Sequence, residues 1–277
     1  MGTFEKPDPR IHYDRVTDAW GYLLGDDFHY GYFDSPDLPL HAATLALTEL
    51  MASEAAFQTG MSVLDIGCGS GNPAVHLARE YGCRVLGITN SSIGVERATV
   101  RADKAGVSGL ARFEVRDGMA TGLEAHSFDR IWVMESSHLM PRKDLLLREC
   151  GRLLRTDGRL VLCDIVLLRQ IPFPEVLSIR KELAVLDAVF GKATMQELSS
   201  YALMAEDAGI TVRSQIDISR QTLPTFVCWR ANADTYAYAV EELLGRGGIE
   251  EFQLACDILS RFWLDRLGYG VLVADAS

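Results

Sequence analysis

The chain of 277 residues lacks the features expected of membrane-spanning and nucleic-acid-binding proteins. It has no run of the ~18 apolar residues that a membrane-spanning helix needs, and its first ten residues, MGTFEKPDPR, contain no apolar signal core. It also lacks an excess of basic residues, because 27 Lys and Arg face 38 Asp and Glu and give a net charge of −11. We therefore expect neither nucleic acid nor a membrane as a partner, since both repel an acidic chain.

Cysteine motifs are absent as well. The six cysteines form no C-x-x-C pair and no cluster with histidine at the spacing of a metal site. We therefore expect free thiols, no bound metal and a cytoplasmic location. Apolar residues make up 48% of the chain, enough for a full core, and the length suits one large α/β domain or one domain with an appendage.

From residue 61 onward, signals for strands and helices alternate. Short apolar runs predict five strands, and apolar residues at helical spacing predict the helices between them. The alternation indicates a parallel sheet with helices on both faces, whose ligands bind at the carboxyl ends of the strands. The five predicted strands are 61–67, 83–89, 111–117, 128–134 and 159–168.

Two regions flank this predicted sheet. Residues 1–60 contain many aromatic side chains and a predicted helix near 39–57, and we expect them to form an N-terminal helical lid. Residues 169–277 are expected to supply substrate-pocket helices and closing strands of the same domain. They contain predicted helical stretches at 173–208 and 224–265 and predicted strands at 210–219 and 268–275.

A glycine-rich turn follows the first strand, in LDIGCGSGN at residues 64–72. Glycines between a strand and a helix allow a tight turn and let a ligand approach the backbone closely. The dinucleotide-binding version has a third glycine where this chain has Asn72, and an acidic residue at the end of the second strand, where it has Thr89. Both departures count against a nicotinamide cofactor, whereas Asp65 favours a ligand with a cationic amine.

The spacing Asp65-x-Gly67-x-Gly69-x-Gly71 resembles the first motif of class I S-adenosylmethionine-dependent methyltransferases. The resemblance covers residues 61–168 as the cofactor-binding core. It implies a Rossmann-like α/β fold with a mostly parallel seven-stranded sheet, an N-terminal helical lid, a helical insertion before the last strand, and S-adenosylmethionine as the cofactor. The other matching stretches are GITNSS (87–92), RDGM (116–119), SFDRIWVMES (127–136) and LLRTDGRLVLCD (153–164).

A narrower resemblance points to enzymes of natural-product and antibiotic biosynthesis. Three further stretches are similar to natural-product methyltransferases, a group that includes sugar O-methyltransferases and shades into tocopherol-type and terpene C-methyltransferases. The resemblance implies a small secondary metabolite as the methyl acceptor. The three stretches are YDRVTDAWGYLLGDDFHYGYFD (13–34), ESSHLMP (135–141) and DIVLL (164–168).

The family resemblance also implies which residues bind the cofactor. Asp65 and the backbone of 67–69 would hold its methionine portion, Asp117 would accept a hydrogen bond from the adenine amine, and Met119 would pack on the adenine. Thr89 stands where many members have an acidic residue that binds the ribose. Two tyrosines at lid positions would touch the carboxylate end of the cofactor. The full set is Tyr13, Tyr30, Asp65, Gly67, Cys68, Gly69, Thr89, Asn90, Asp117, Gly118 and Met119.

Polar residues 135–138 follow the fourth strand, whose carboxyl end points at the methyl group in this architecture. A hydroxyl acceptor must lose a proton, and histidine can take it near neutral pH. Asp164 interrupts an apolar run and needs a partner. We predict His138 as general base, with Asp164 orienting it or sharing the role. Resembling sugar O-methyltransferases have a His and an Asp at these positions, and commonly a second His in place of Leu139.

We further predict that Glu135, Ser136 and Tyr32 contact the substrate. Three other functions stay open: C-methylation of a prenyl carbon, alone or coupled to cyclisation; a nicotinamide-dependent oxidoreductase; and a non-catalytic S-adenosylmethionine-binding protein. In the C-methylation alternative, Glu135 or His138 would take a proton from a carbocation, or no base would be needed. The expected partner is a small molecule, and aromatic lid segments are compatible with a homo-oligomer.

Overall fold

The computed structural model describes residues 18–35 and 37–276, so the predicted cofactor residue Tyr13 lies outside the described part of the chain. The described residues contain one seven-stranded sheet in the order β3-β2-β1-β4-β5-β7-β6, in which only β7 runs antiparallel to its neighbours. The mostly parallel seven-stranded sheet predicted from the sequence is thereby confirmed. The strands are β1 Ser62–Ile66, β2 Arg84–Thr89, β3 Ala111–Val115, β4 Phe128–Met134, β5 Leu154–Leu167, β6 Ile210–Asp217 and β7 Leu267–Ala276.

Helices cover both faces of the sheet, as predicted. Residues 18–23 are also helical. The helices with described bounds are α1 Leu40–Ala55, α2 Asn72–Tyr81, α3 Ser92–Lys104, α4 Lys143–Leu153, α5 Phe173–Ser178, α6 Arg180–Phe190, α7 Leu198–Asp207, α8 Ser219–Thr222, α9 Thr225–Thr235, α10 Ala237–Leu244 and α11 Arg246–Phe262.

The central strand β4 shows how the sheet separates two hydrophobic cores. Because side chains alternate along a strand, Trp132 and Met134 join one core with α1, α2 and the helices before β7. Ile131 and Val133 join the other core with α4 and α7. Both faces of β4 are therefore buried, which explains its uninterrupted apolar sequence.

Chain order reverses between β1 and β4. The chain runs outward from β1 through β2 to β3, and then returns to the other side of β1 as β4. In open α/β sheets ligands bind outside the carboxyl ends of the strands at such a switch point. The glycine turn after β1 and residues 135–138 after β4 both lie there.

Two predicted segments differ in detail from the structure. Apolar residues at helical spacing predict a helix over 143–155, but this helix ends at Leu153, because Leu154 adopts an extended backbone and pairs with Phe128 as the first residue of β5. The predicted helical stretch 173–208 is divided into α5, α6 and α7, and residues 191–197 between the last two run past residue 138. Among the described residues no helix combines the length and apolar character needed to cross a membrane.

Candidate active site

A cavity of about 650 Å³ opens at the carboxyl ends of β1 to β4. The structure brings nine of the predicted cofactor residues to its wall, from three strand ends that are far apart in sequence. They are Asp65, Gly67, Cys68, Gly69, Thr89, Asn90, Asp117, Gly118 and Met119.

The glycine turn is held tightly against β2 while part of it stays open to the cavity. The N–H groups of Gly67 and Cys68 both donate to the Ile88 carbonyl, at 2.8 and 3.0 Å. Gly67 has φ +86°, and a side chain there would overlap Ser136. Gly69 has φ +52°, and a methyl added to it would meet no atom within 4 Å. The turn thus requires glycine at 67 for packing and presents bare backbone at 69 to the cavity.

Asp65 is a buried carboxyl group on the wall of this cavity. It is 2% exposed, and its Oδ2 has no hydrogen-bond partner among the described residues. Burial raises its pKa to about 7, because desolvation disfavours the charged form. A cationic amine is the ligand that would satisfy such an oxygen, so the residues present fit the amino-acid end of S-adenosylmethionine.

The ends of β2 and β3 are also fixed by local hydrogen bonds. Thr89 Oγ1 accepts from the Ser91 N–H at 3.3 Å, and Asp117 Oδ1 accepts from the Met119 N–H at 2.9 Å. A Cβ on Gly118 would come within 2.5 Å of Ile66. The turn at 117–119 therefore packs against the end of β1, which places the adenine-side residues next to the glycine turn.

The first two residues after β4 contact neighbouring segments as well as the cavity. Ser136 Oγ donates to the Ile66 carbonyl at 2.7 Å and thereby joins the ends of β1 and β4. Glu135 has φ +47°, and its Oε1 accepts from the Tyr30 N–H at 2.8 Å and the Tyr269 hydroxyl at 2.5 Å. Burial raises the pKa of Glu135 to about 8 in spite of these two hydrogen bonds. Both residues line the cavity.

His138 and Asp164 lie together beside the cavity, although neither is among its lining residues. Asp164 Oδ1 is 2.7 Å from His138 Nδ1, and Oδ2 accepts from the His138 N–H at 2.8 Å. His138 is 9% exposed and Asp164 is fully buried. Burial by itself raises the pKa of Asp164, but His138 and the Ser137 hydroxyl outweigh it and lower the pKa below its ordinary value.

The ionised state of Asp164 determines the tautomer of His138. A carboxylate can only accept, so Nδ1 must carry the proton of this hydrogen bond. In the neutral ring Nε2 then has a free lone pair. The arrangement can take up one proton at Nε2 and stabilise the resulting cation through Asp164.

The structure does not bring Tyr30 and Tyr32 to the cavity wall, contrary to the sequence-based expectation. The Tyr30 ring is 3% exposed, stacks on Trp263 at 5.3 Å and meets Trp229 edge-on at 4.9 Å. Tyr32 is partly buried and packs against the same core. The Tyr30 ring is thus buried among aromatic neighbours, while the Tyr30 N–H donates to the predicted site residue Glu135.

Other residues that line the cavity were missed by sequence reasoning. Trp20 and Phe28 come from the N-terminal region and contact each other edge-on. His29 is buried, its Nδ1 lies 2.8 Å from the Tyr30 carbonyl, and burial lowers its pKa. Arg97 of α3 also lines the cavity and pairs with Asp18 at 2.9 Å. Trp20, Phe28 and His29 lie in the stretch 13–34 that resembles natural-product methyltransferases. Which side chains of that stretch reach the cavity depends on the fold, and Arg97 belongs to no motif.

The sheet order and the cavity at the glycine turn have the architecture of a class I methyltransferase. A family model described as a methyltransferase domain matches residues 57–215. The chain belongs to the class I S-adenosylmethionine-dependent methyltransferases, and S-adenosylmethionine is its cofactor, as the sequence predicts. The nicotinamide-dependent alternative is therefore set aside.

Known proteins similar to this chain fit that assignment. It is 34% identical over 263 residues to 27-O-demethylrifamycin SV methyltransferase of Amycolatopsis mediterranei (strain S699), covering 95% of this chain and 94% of that one. It is 33% identical over 219 residues to methyltransferase GfsG of Streptomyces halstedii, covering 77% and 76%. Mycolic acid cyclopropane synthase CmaA1, crystallised with S-adenosylhomocysteine (SAH), shares the fold with a TM-score of 0.86 and 19% identity, covering 96% of each chain.

Proposed function

We propose that this enzyme transfers a methyl group to a hydroxyl oxygen of a small natural product, with His138 as general base. The observation that carries the proposal is the hydrogen bond between Asp164 Oδ1 and His138 Nδ1 at 2.7 Å. It leaves Nε2 as a proton acceptor beside the cavity. A base in this role contributes about 10²- to 10⁴-fold to a rate.

The cavity wall supplies the groups that would hold the cofactor. Asp65 would hold the ammonium group, the open backbone at Gly69 would approach the methionine portion, and Asp117 and Met119 would contact the adenine. S-adenosylmethionine, when bound, supplies an electrophilic methyl group on a sulfonium sulfur. The protein's own task is then to hold the acceptor oxygen in line and to take its proton.

Glu135 is a weaker choice of base than His138. With a pKa raised to about 8, its carboxyl is mostly protonated at pH 7 and has little capacity to accept a proton. Its Oε1 also accepts hydrogen bonds from Tyr30 and Tyr269. We propose that Glu135 instead lines the acceptor side of the cavity and ties the N-terminal segment to β4.

The acceptor is proposed to be a hydroxylated secondary metabolite. The name of the Amycolatopsis relative describes methylation of 27-O-demethylrifamycin SV, and the relative spans nearly the whole of this chain. We propose that residues 1–60 act as a lid and that residues 169–277 shape the acceptor pocket. A cytoplasmic location stays a prediction.

The proposal is tested by incubating the purified protein with methyl-labelled S-adenosylmethionine and hydroxylated metabolites. We expect a labelled methyl ether, identified by mass spectrometry and NMR. The variant His138→Asn should lower kcat about 100-fold or more and leave the Kd for SAH unchanged. A carbon-methylated product would favour the C-methyltransferase alternative, and an unimpaired His138→Asn variant would contradict the base assignment. Cofactor binding without any transfer would indicate a non-catalytic binding protein.

A further inference from the structure

A chain of buried hydrogen bonds continues behind His138. The Tyr201 hydroxyl lies 2.7 Å from Ser137 Oγ, and Ser137 Oγ donates to Asp164 Oδ2 at 2.5 Å. Asp164 Oδ1 then contacts His138 Nδ1 at 2.7 Å. Tyr201, Ser137 and Asp164 are fully buried. Neither the methyl transfer nor the cofactor site requires Tyr201 or Ser137 directly, so the chain needs an explanation of its own.

Counting protons determines the direction of every hydrogen bond in this chain. Asp164 is ionised because its pKa is lowered, so it accepts from both Ser137 and His138. Ser137 has one hydroxyl proton and gives it to Asp164. The Tyr201 hydroxyl must therefore donate to Ser137 Oγ. All donors in the chain point toward the carboxylate.

These hydrogen bonds connect the helical segment between β5 and β6 to the residues after β4. Tyr201 lies in the first turn of α7, and Thr194 just before that helix donates its N–H to the His138 carbonyl at 2.7 Å. Lys143 Nζ donates to both Thr194 Oγ1 and the Met140 carbonyl, each at 3.0 Å. The backbone carbonyl of His138 is thus held by Thr194, and its ring is held by Asp164 of β5.

We propose that Tyr201 and Ser137 are positioning residues that set the orientation and basicity of His138 through Asp164. This inference rests on the proposed role of His138 as general base. Donation by Tyr201 polarises the Ser137 hydroxyl, which then withdraws more negative charge from Asp164. Removing either hydroxyl leaves more charge on Asp164, and that charge stabilises the protonated imidazole more strongly.

Other charged groups also act on Asp164 and must stay constant in a test. Glu135 lies on the same loop as Ser137 and His138, and its charge interacts with that of Asp164. The Lys143 ammonium of α4 also lies near enough to interact with the Asp164 charge. In the described part of the chain neither Glu135 nor Lys143 hydrogen-bonds to Tyr201 or Ser137, so replacement of these hydroxyls should leave both charged groups in place. Tyr201→Phe is the cleaner variant because the Tyr201 hydroxyl bonds to Ser137, whereas Ser137→Ala also removes a direct hydrogen bond to Asp164.

The direct test is an NMR titration of the His138 ring in ¹³C-histidine-labelled protein without ligand, with the signal assigned from His138→Asn. We expect the titration midpoint to move to higher pH, by about half a unit in Tyr201→Phe and about one unit in Ser137→Ala. Tyr81→Phe is the matched control, since it also removes a tyrosine hydroxyl that donates to a carboxylate, Glu49, at 2.6 Å. It should leave the midpoint unchanged.

Kinetics separate this inference from the proposed function. If His138 is the base, the acid limb of the kcat/KM–pH profile, which reports groups of the free enzyme, should move to higher pH in Tyr201→Phe by about the same amount as the NMR midpoint. An unchanged midpoint in both Tyr201→Phe and Ser137→Ala overturns the positioning role, whatever the activity. Full activity of His138→Asn overturns the base assignment. The hydrogen bonds from Tyr201 to His138 would then have no role in catalysis, even if the His138 midpoint moved in Tyr201→Phe and Ser137→Ala.

Discussion

Two buried aspartates lie near the ends of two strands of the same sheet, yet their pKa values move in opposite directions. Burial raises the pKa of Asp65 in β1 to about 7, whereas the pKa of Asp164 in β5 is lowered despite equal burial. Asp164 accepts hydrogen bonds from Ser137, from the His138 ring and backbone, and from the Ile165 N–H. Asp65 Oδ2 has no partner among the described residues.

The difference shows that burial alone does not determine a carboxyl group's role. The protein itself supplies the donors that keep Asp164 ionised. The hydrogen bonds around Asp164 are therefore complete without a ligand, and they hold His138 in place. The Asp65 end supplies a carboxyl group and bare glycine backbone, and a cationic ligand would complete it. The surroundings of Asp65 therefore fit a cationic ligand, whereas those of Asp164 fix the orientation of His138, as the proposed proton transfer requires.

The largest expected effect comes from replacing Asp164, the carboxylate whose hydrogen-bond donors the protein supplies. Asp164→Ala removes the acceptor of four N–H and O–H donors, three of them in fully buried hydrogen bonds, so we expect the free energy of unfolding to fall by about 3 kcal/mol. We also expect kcat to fall about 100-fold or more, because the His138 ring loses its orienting partner. Urea unfolding and steady-state kinetics measure the two effects.

Asp129→Ala is a suitable control for that variant, because Asp129 accepts from Arg155 and from the Ser62 N–H at the opposite end of β4. It should cost about 1 kcal/mol and leave kcat unchanged. If both variants reduced kcat alike, the special role of Asp164 would be refuted.

The second prediction separates protein packing from ligand binding within the glycine turn. Gly67→Ala forces a methyl group into Ser136 at a positive φ, and should lower the free energy of unfolding by about 3 kcal/mol. Gly69→Ala meets no protein atom within 4 Å and should cost only about 1 kcal/mol. Its main effect should be at least a tenfold rise in the Kd for SAH, measured by calorimetry. The account would be contradicted if Gly67→Ala and Gly69→Ala lost the same stability and Gly69→Ala bound SAH as tightly as the wild type. The backbone at Gly69 would then not contact the ligand.

The third prediction concerns the pH dependence that Asp65 introduces. Its folded-state pKa of about 7 lies above the ordinary 3.8, so the free folded protein keeps a proton that the unfolded chain releases. This contribution to stability is present below about pH 4 and is lost as the pH rises through 7. In Asp65→Asn the decline in stability caused by this group should disappear. Thermal unfolding measured from pH 5 to 8 checks this.

The same carboxyl group should control cofactor affinity. Binding of an ammonium group requires ionised Asp65, so the Kd for SAH should rise by up to about tenfold per pH unit below 7. In Asp65→Asn the Kd at pH 8 should be about tenfold higher and nearly independent of pH. A variant that retained the wild-type pH dependence would show that another group carries it.

The smallest effect is expected at the rim of the cavity. The exposed pair between Arg97 and Asp18 joins α3 to the helical residues 18–23. Arg97→Gln should change the free energy of unfolding by less than about 0.5 kcal/mol and raise the SAH dissociation rate a few-fold. Stopped-flow measurements check this, with Arg79→Gln as the control because Arg79 also forms an exposed ion pair, with Glu80. A larger change in Arg79→Gln would remove any special role from the Arg97 contact.

The binding region could be predicted from the sequence because its information is local. A strand, a glycine turn and a helix follow one another at β1, and the positions of Asp65, Asp117 and Met119 follow from strand ends that meet at one edge of a parallel sheet. The predicted strand ends agree with the structure to within two residues except at the start of β5, which begins at Leu154 and not at residue 159. The central strands β1 and β4 could be recognised as continuous apolar runs because they are buried on both faces.

The rest depended on contacts between distant segments. Whether Tyr30 faces the cavity or the aromatic core depends on where Trp229 and Trp263 lie, nearly 200 residues or more further along the chain. Tyr201 meets Ser137 only because α7 packs against the second core. Nothing in the sequence singles out His29 within the stretch 13–34. Its place on the cavity wall follows from the path of the N-terminal segment.

The most direct test of the central comparison is a ¹³C NMR titration of labelled aspartate carboxyl groups, with Asp65→Asn and Asp164→Asn used for assignment. In the free protein we predict that Asp65 titrates near pH 7 and that Asp164 stays ionised down to below its ordinary pKa. Saturating SAH should abolish the Asp65 titration near pH 7 and leave Asp164 unchanged. An Asp65 carboxyl already ionised at pH 5 in the free protein, or an SAH effect on Asp164 alone, would contradict the account.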